Sequence, residues 1–99
     1  MRQGTTPTHV FTTNIDLTKA VAIYITYEQG GEVVVEKELP DIRVEEDKIK
    51  TTLTQEETFA FSITADVKIQ IRAKFDDDTA VACQIIRTCV GEVLKEGVI

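Results

Sequence analysis

The sequence predicts an all-β domain: an antiparallel sandwich of about seven short strands with one helical turn. Three observations carry this. Apolar and polar residues alternate at period two along much of the chain. Turn signals recur at roughly ten-residue intervals. No connection is long enough for repeated β-α-β crossovers.

Residues 1–7 read as a flexible tail, and residues 8–99 as a single domain. A first strand covers Thr8–Thr13 and ends at the turn-forming Asn14-Ile15-Asp16. Lys19–Glu28 follows, with Val21, Ile23, Ile25 and Tyr27 on one side. Gln29-Gly30-Gly31 turns it into Glu32–Glu36, forming a hairpin. Ile42–Val44 and Ile49–Leu53 flank the polar turn Glu45-Glu46-Asp47. Thr54-Gln55-Glu56-Glu57 has the form of a capping box, with Thr54 as N-cap and Glu57 at N3. This predicts a helical turn that ends before Ser62 and crosses between the sheets. The clearest strand is Val67–Phe75, with Val67, Ile69, Ile71, Ala73 and Phe75 interleaved with Lys68, Gln70, Arg72 and Lys74. It turns at Asp76-Asp77-Asp78 into a single long strand, Ala80–Val90. Glu92–Glu96 is expected to form a second helical turn, stopped by Gly97.

Ninety-nine residues support one core and no separate catalytic domain. Hydrophobic residues at 42% and charged residues at 28% place the chain among globular proteins rather than disordered ones. A formal charge of −6 has the wrong sign for binding nucleic acid or anionic lipid, so neither is expected as a partner. The opening Met1–Pro7 lacks the apolar stretch of a secretory signal, and the longest apolar run, Ala20–Ile25, is too short to span a membrane. Cys83 and Cys89 are six apart in one expected strand, so they would share a face about 20 Å apart, beyond the reach of a disulfide. Free, buried thiols are expected.

No pattern of residues assembles a catalytic or cofactor site. His9, the single histidine, reads as a half-exposed strand residue; pairing it with either cysteine would imitate a cysteine hydrolase, but no strained Gly-rich elbow surrounds them. Asp76, Asp77 and Asp78 are the weak metal candidates. Their oxygens suit Ca²⁺, but adjacent aspartates alternate in direction and the spacing fails the EF-hand pattern, so a solvated hairpin turn is the better account. The interface candidates are Tyr24, which points opposite to Ile23 and Ile25, and the basic row Lys68, Arg72 and Lys74, otherwise a wet face that discourages edge association. Val98 and Ile99 complete the set, with docking on the core as the commoner outcome for such a terminus.

Four segments resemble a family of small prophage-encoded β-sandwich proteins from temperate phages of Gram-positive bacteria: Arg2–Thr8, Leu53–Thr58, Val67–Arg72 and Val90–Ile99. The strings LTQEET and VGEVLKEGVI are its specific parts. The resemblance implies an immunoglobulin-like sandwich, distantly similar to amino-terminal domains of phage tail and baseplate proteins, and it transfers no catalytic residue. The expected function is therefore non-enzymatic: a phage structural or assembly protein in contact with other phage structural proteins, found in the host cytoplasm during assembly and in the virion. A carbohydrate- or Ca²⁺-dependent binding module is the alternative. Open sheet edges at Ala20–Ile25 and Val33–Val35 predict a weak, concentration-dependent homo-oligomer, against which the net charge acts.

Overall fold

A computed structural model describes residues 1–99. Two antiparallel sheets form a sandwich, with eight strands and one short helix: β1 (Thr8–Thr12), β2 (Ala20–Gln29), β3 (Glu32–Glu38), β4 (Arg43–Val44), β5 (Lys48–Thr52), α1 (Gln55–Phe59), β6 (Val67–Phe75), β7 (Ala80–Ala82) and β8 (Ile86–Thr88). The small sheet has the order β1-β5-β4; the large one runs β3-β2-β6, with β7 and β8 both paired to β6. Alternation places the core as expected except at Val21, which is exposed where a register shift between Ala20 and Ala22 interrupts the ladder with β6. Ile23, Ile25 and Tyr27 of β2 pack with Val67, Ile69, Ile71 and Ala73 of β6, and across the interlayer they meet Ile49, Leu53, Ile42 and Phe61.

The helix forms where the capping box requires it. Thr54 Oγ1 accepts from Glu57 N–H at 3.1 Å, and Glu57 Oε1 accepts from Thr54 N–H at 2.9 Å. The helix carries the chain from β5 in one sheet to β6 in the other.

Five expectations change. The long last strand is interrupted at Cys83-Gln84-Ile85. Arg72 pairs with Ala82 and Ile69 with Ile86, so three residues face the two residues Gln70 and Ile71. This extra residue is a bulge, and it reverses the side-chain alternation beyond it. Ile86 and Thr88 then lie opposite the buried Ile69 and Val67, and Val90 reaches the core. Cys83 and Cys89 therefore do not lie on one face of one strand, and both free thiols are exposed rather than buried. The Cys83 side chain repairs the ladder at the interruption. Its N–H donates to the Ile71 carbonyl at 3.0 Å, while its Sγ accepts from the Ile71 N–H at 3.2 Å and donates to the Gln84 carbonyl at 3.0 Å. The displaced Cys83 carbonyl accepts from Gln70 Nε2.

Glu92–Glu96 forms no helical turn; it is irregular, and beyond it the Ile99 backbone is held to α1 by paired hydrogen bonds with the Gln55 side chain. Only backbone is held there. The Val98 and Ile99 side chains stay exposed, Ile99 at 87%, and do not dock on the core.

Residues 1–7, read as a flexible tail, are hydrogen-bonded along their length. The Met1 ammonium donates to the Cys89 carbonyl, Gly91 N–H to the Met1 carbonyl, and Gln3 N–H to the Gly91 carbonyl. Arg2 and Gly91 form a parallel bridge. Fully buried Thr58 ties this segment to α1: its hydroxyl accepts from Gly4 N–H at 2.9 Å and lies 3.1 Å from the Thr5 carbonyl. Gly4 has a φ of 74°, and a Cβ there would meet the Phe59 ring at 2.8 Å, so both conformation and space call for glycine.

Thr58→Val keeps the volume but leaves the Gly4 N–H and Thr5 carbonyl without this partner. A loss of about 1–3 kcal/mol is expected in urea unfolding, together with faster amide exchange at Gly4 than at Ile25 in the same sample.

Candidate binding groove

The small sheet is narrower than the large one, so the sandwich is left open along one side. There β1, paired only to β5, faces β7, paired only to β6. The opening is an apolar groove of about 450 Å³, within the size range of ligand pockets. Phe11, Leu17, Ile71, Ala73, Val81 and Ile86 supply its apolar lining, and Thr12, Thr13 and Asn14 supply polar groups. Ile86 reaches it because the bulge at 83–85 turned that side chain inward. Ile15 sits on the loop after β1 and is 42% exposed. The backbone of both bordering strands has no strand partner on its outer side.

Acidic loops gather at one end of this groove. The β1–β2 loop lines it through Thr13–Ile15 and Leu17. The β4–β5 turn joins that loop where Thr13 N–H donates to the Asp47 carbonyl at 2.8 Å. The β6–β7 turn lies beside it, since Ala20 pairs with Phe75. Asp16 in the first loop accepts from the N–H and Oγ1 of Thr18, bonds that hold its carboxyl below the usual range.

A second groove, of about 900 Å³, is polar, with Thr8, Thr52 and Thr54 beside Lys37, Arg43 and Lys50. Two of its three cations are committed: Lys37 pairs with Glu57 at 2.8 Å and Lys50 with Glu45 at 2.9 Å.

Inside the sandwich, a group of polar side chains replaces part of the apolar interlayer. His9 Nδ1 and the Tyr27 hydroxyl share a hydrogen bond of 2.7 Å, with ring centroids 5.6 Å apart, and Tyr27 packs on Phe61 at 6.1 Å. Tyr27 is fully buried; burial, then the nearby Glu57 charge, pushes its phenol strongly upward. Burial, then the positive N-terminus, lowers His9. Burial alone would raise Glu57, but hydrogen bonds from Lys37 and the Thr54 N–H outweigh it and hold the carboxyl below its usual range. Nothing in the alternation of β1 singles out His9 for this bond; the clue is that Tyr27, a residue with a hydroxyl to satisfy, falls in the inward register of β2.

The residues singled out in the sequence are dispersed. His9 bonds Tyr27, whereas Cys83 bonds Ile71 and Gln84, so the structure does not bring histidine and thiol together through these groups. Asp77 Oδ1 accepts from Thr79 N–H, and Asp78, at φ 68°, lies 3.4 Å from Lys74. Tyr24 is 40% exposed on the outer face of the large sheet, where Glu38 and Arg72 are its cross-strand neighbours. Lys68, Arg72 and Lys74 share that face. The hairpin's exposed edge is β3, and Tyr24 lies one strand inside it. Glu32, Glu36 and Glu38 line that strand, so antiparallel pairing of two copies about Val34 or Val35 sets carboxylates opposite one another. The groove's borders lay beyond the sequence reading, because they depend on which strands finish at sheet edges.

No protein-family description matches the chain, and no curated protein does. Among solved structures, the V domain of amphioxus IgVJ-C2 is similar to it, at 12% identity over 94% of this chain and 97% of that one, with a TM-score of 0.37.

The depressed His9 pKa fixes one pH dependence. The unfolded chain takes up this proton more readily than the folded one, so His9's contribution is complete above pH 6.5 and declines as the pH falls through that value. The lowered carboxylates, Glu57 among them, lose theirs at more acidic pH. Thermal melts between pH 7.5 and 4 are expected to fall in two steps, and His9→Asn, which can still bond the Tyr27 hydroxyl, should remove only the first.

Proposed function

We propose that the protein is a non-enzymatic phage structural or assembly module that works through contact with other phage proteins. One observation carries the contact: an apolar groove of about 450 Å³ bordered by two strands, each unpaired on its outer edge. Apolar side-chain sites beside free backbone groups are what β-strand addition uses, the backbone supplying affinity and the pockets supplying selectivity. The phage setting comes from the resemblance of Arg2–Thr8, Leu53–Thr58, Val67–Arg72 and Val90–Ile99 to prophage-encoded sandwich proteins. Tyr24 with the Lys68–Arg72–Lys74 row offers a second, flatter contact face. No helix is long and apolar enough to cross a membrane.

Mass spectrometry of purified particles and assembly intermediates from an induced prophage tests this reading. The protein is expected in stoichiometric amount in one or both. Its absence from both fractions, with the protein found free in the lysate, would reject the structural role.

A further inference from the structure

We infer that the groove between β1 and β7 takes an extended segment of a partner protein, apolar at alternate positions and carrying Lys or Arg at its end. This rests on the protein-contact reading above and adds the chemistry of the occupant. The first reason is backbone. Both borders offer unpaired N–H and C=O groups, and only an extended chain can meet these while placing side chains into the Phe11, Ile71, Val81 and Ile86 lining.

The second reason is charge. The three loops at the groove end, 13–19, 45–47 and 76–79, hold seven of the chain's seventeen acidic residues but one of its eleven Lys and Arg residues. Lys50 and Lys74 pair with two of these carboxylates, Glu45 and Asp78, leaving five beside Lys19 and Lys48. A cationic end on the occupant meets that field, and an acidic one is repelled. The chain's own tail, with Glu92 and Glu96 against the one cation Lys95, lacks a cationic end and fails this test. The acidic β3 edge also lacks a groove of this kind, so the two free edges of the large sheet differ in what they can accept.

The test is a titration of the full-length ¹⁵N-labelled protein with the capped peptide KVTVTVTK and its counterpart EVTVTVTE. Saturable shifts are expected at residues 11–17 and 80–86, with the lysine-ended peptide binding several-fold more tightly. The combined change Asp16→Asn, Asp47→Asn and Asp76→Asn should weaken that peptide by roughly three- to tenfold, and added salt should do the same. Ile15→Lys, at an exposed lining position, should abolish binding while the spectrum stays folded. Equal binding of both peptides, shifts confined to β3, or no saturation would overturn the inference. So would saturation of the groove by dodecylammonium without peptide binding, or groove shifts that depend on protein concentration alone, which would make the occupant a small amphiphile or a second copy. A protein present in particles but indifferent to these peptides would overturn the groove assignment and leave the structural role standing.

Discussion

The ladder between β2 and β6 sets the side on which the core forms. It pairs Ile23 with Ala73, Ile25 with Ile71 and Tyr27 with Ile69, and every one of these side chains faces the same way. A slip of one residue in this pairing would turn one strand over against the other, setting Arg72 and Gln70 of β6, or else Tyr24 of β2, among the inward side chains. The other elements attach to this pair. β3 extends it on one flank and β7 with β8 on the other, while the small sheet closes over it through Ile49, Leu53 and Phe61. α1 then fastens the layers together, because Glu57 serves its own capping box and also receives Lys37 from β3.

A domain of this size has little core to spare, and this one places His9, Tyr27, Lys37, Glu57 and Thr58 in or beside it. Each is bonded: no buried side-chain nitrogen or oxygen lacks a partner. The polar groups are directional where the surrounding Ile and Val are not. They fix how the helix, the first strand and the N-terminal segment sit on the sheets, a specificity that apolar packing alone supplies less well.

The alternation of Val67–Phe75 made β6 legible to the residue, and the Thr54–Glu57 spacing did the same for the helix start, since both are set by local chemistry. Features that depend on distant partners were not legible. The interruption at 83–85 hides inside a run that reads as continuous strand, and it is visible only against the register of β6. The Met1–Thr5 segment looks loose because its partners, Cys89, Gly91 and Thr58, are remote in sequence. The groove was hidden for a related reason. Ile71 reads as an ordinary inward residue of its strand, and only the strand order leaves the space between it, Phe11 and Val81 open.

The bulge on the last edge also constrains how this segment can drift in length. From Ile86 onward, inward residues fall on even positions, while Val81 before it falls on an odd one. Losing one residue from 83–85 would leave two residues facing Gln70 and Ile71, so the edge would straighten with Ile86 still opposite Ile69 and Thr88 still opposite Val67. A one-residue change inside Ile86–Val90 has no such buffer and would move part of that segment out of register. Length change on this edge is thus absorbed at Cys83–Ile85, at the expense of the bonds that Cys83 makes to Ile71 and Gln84.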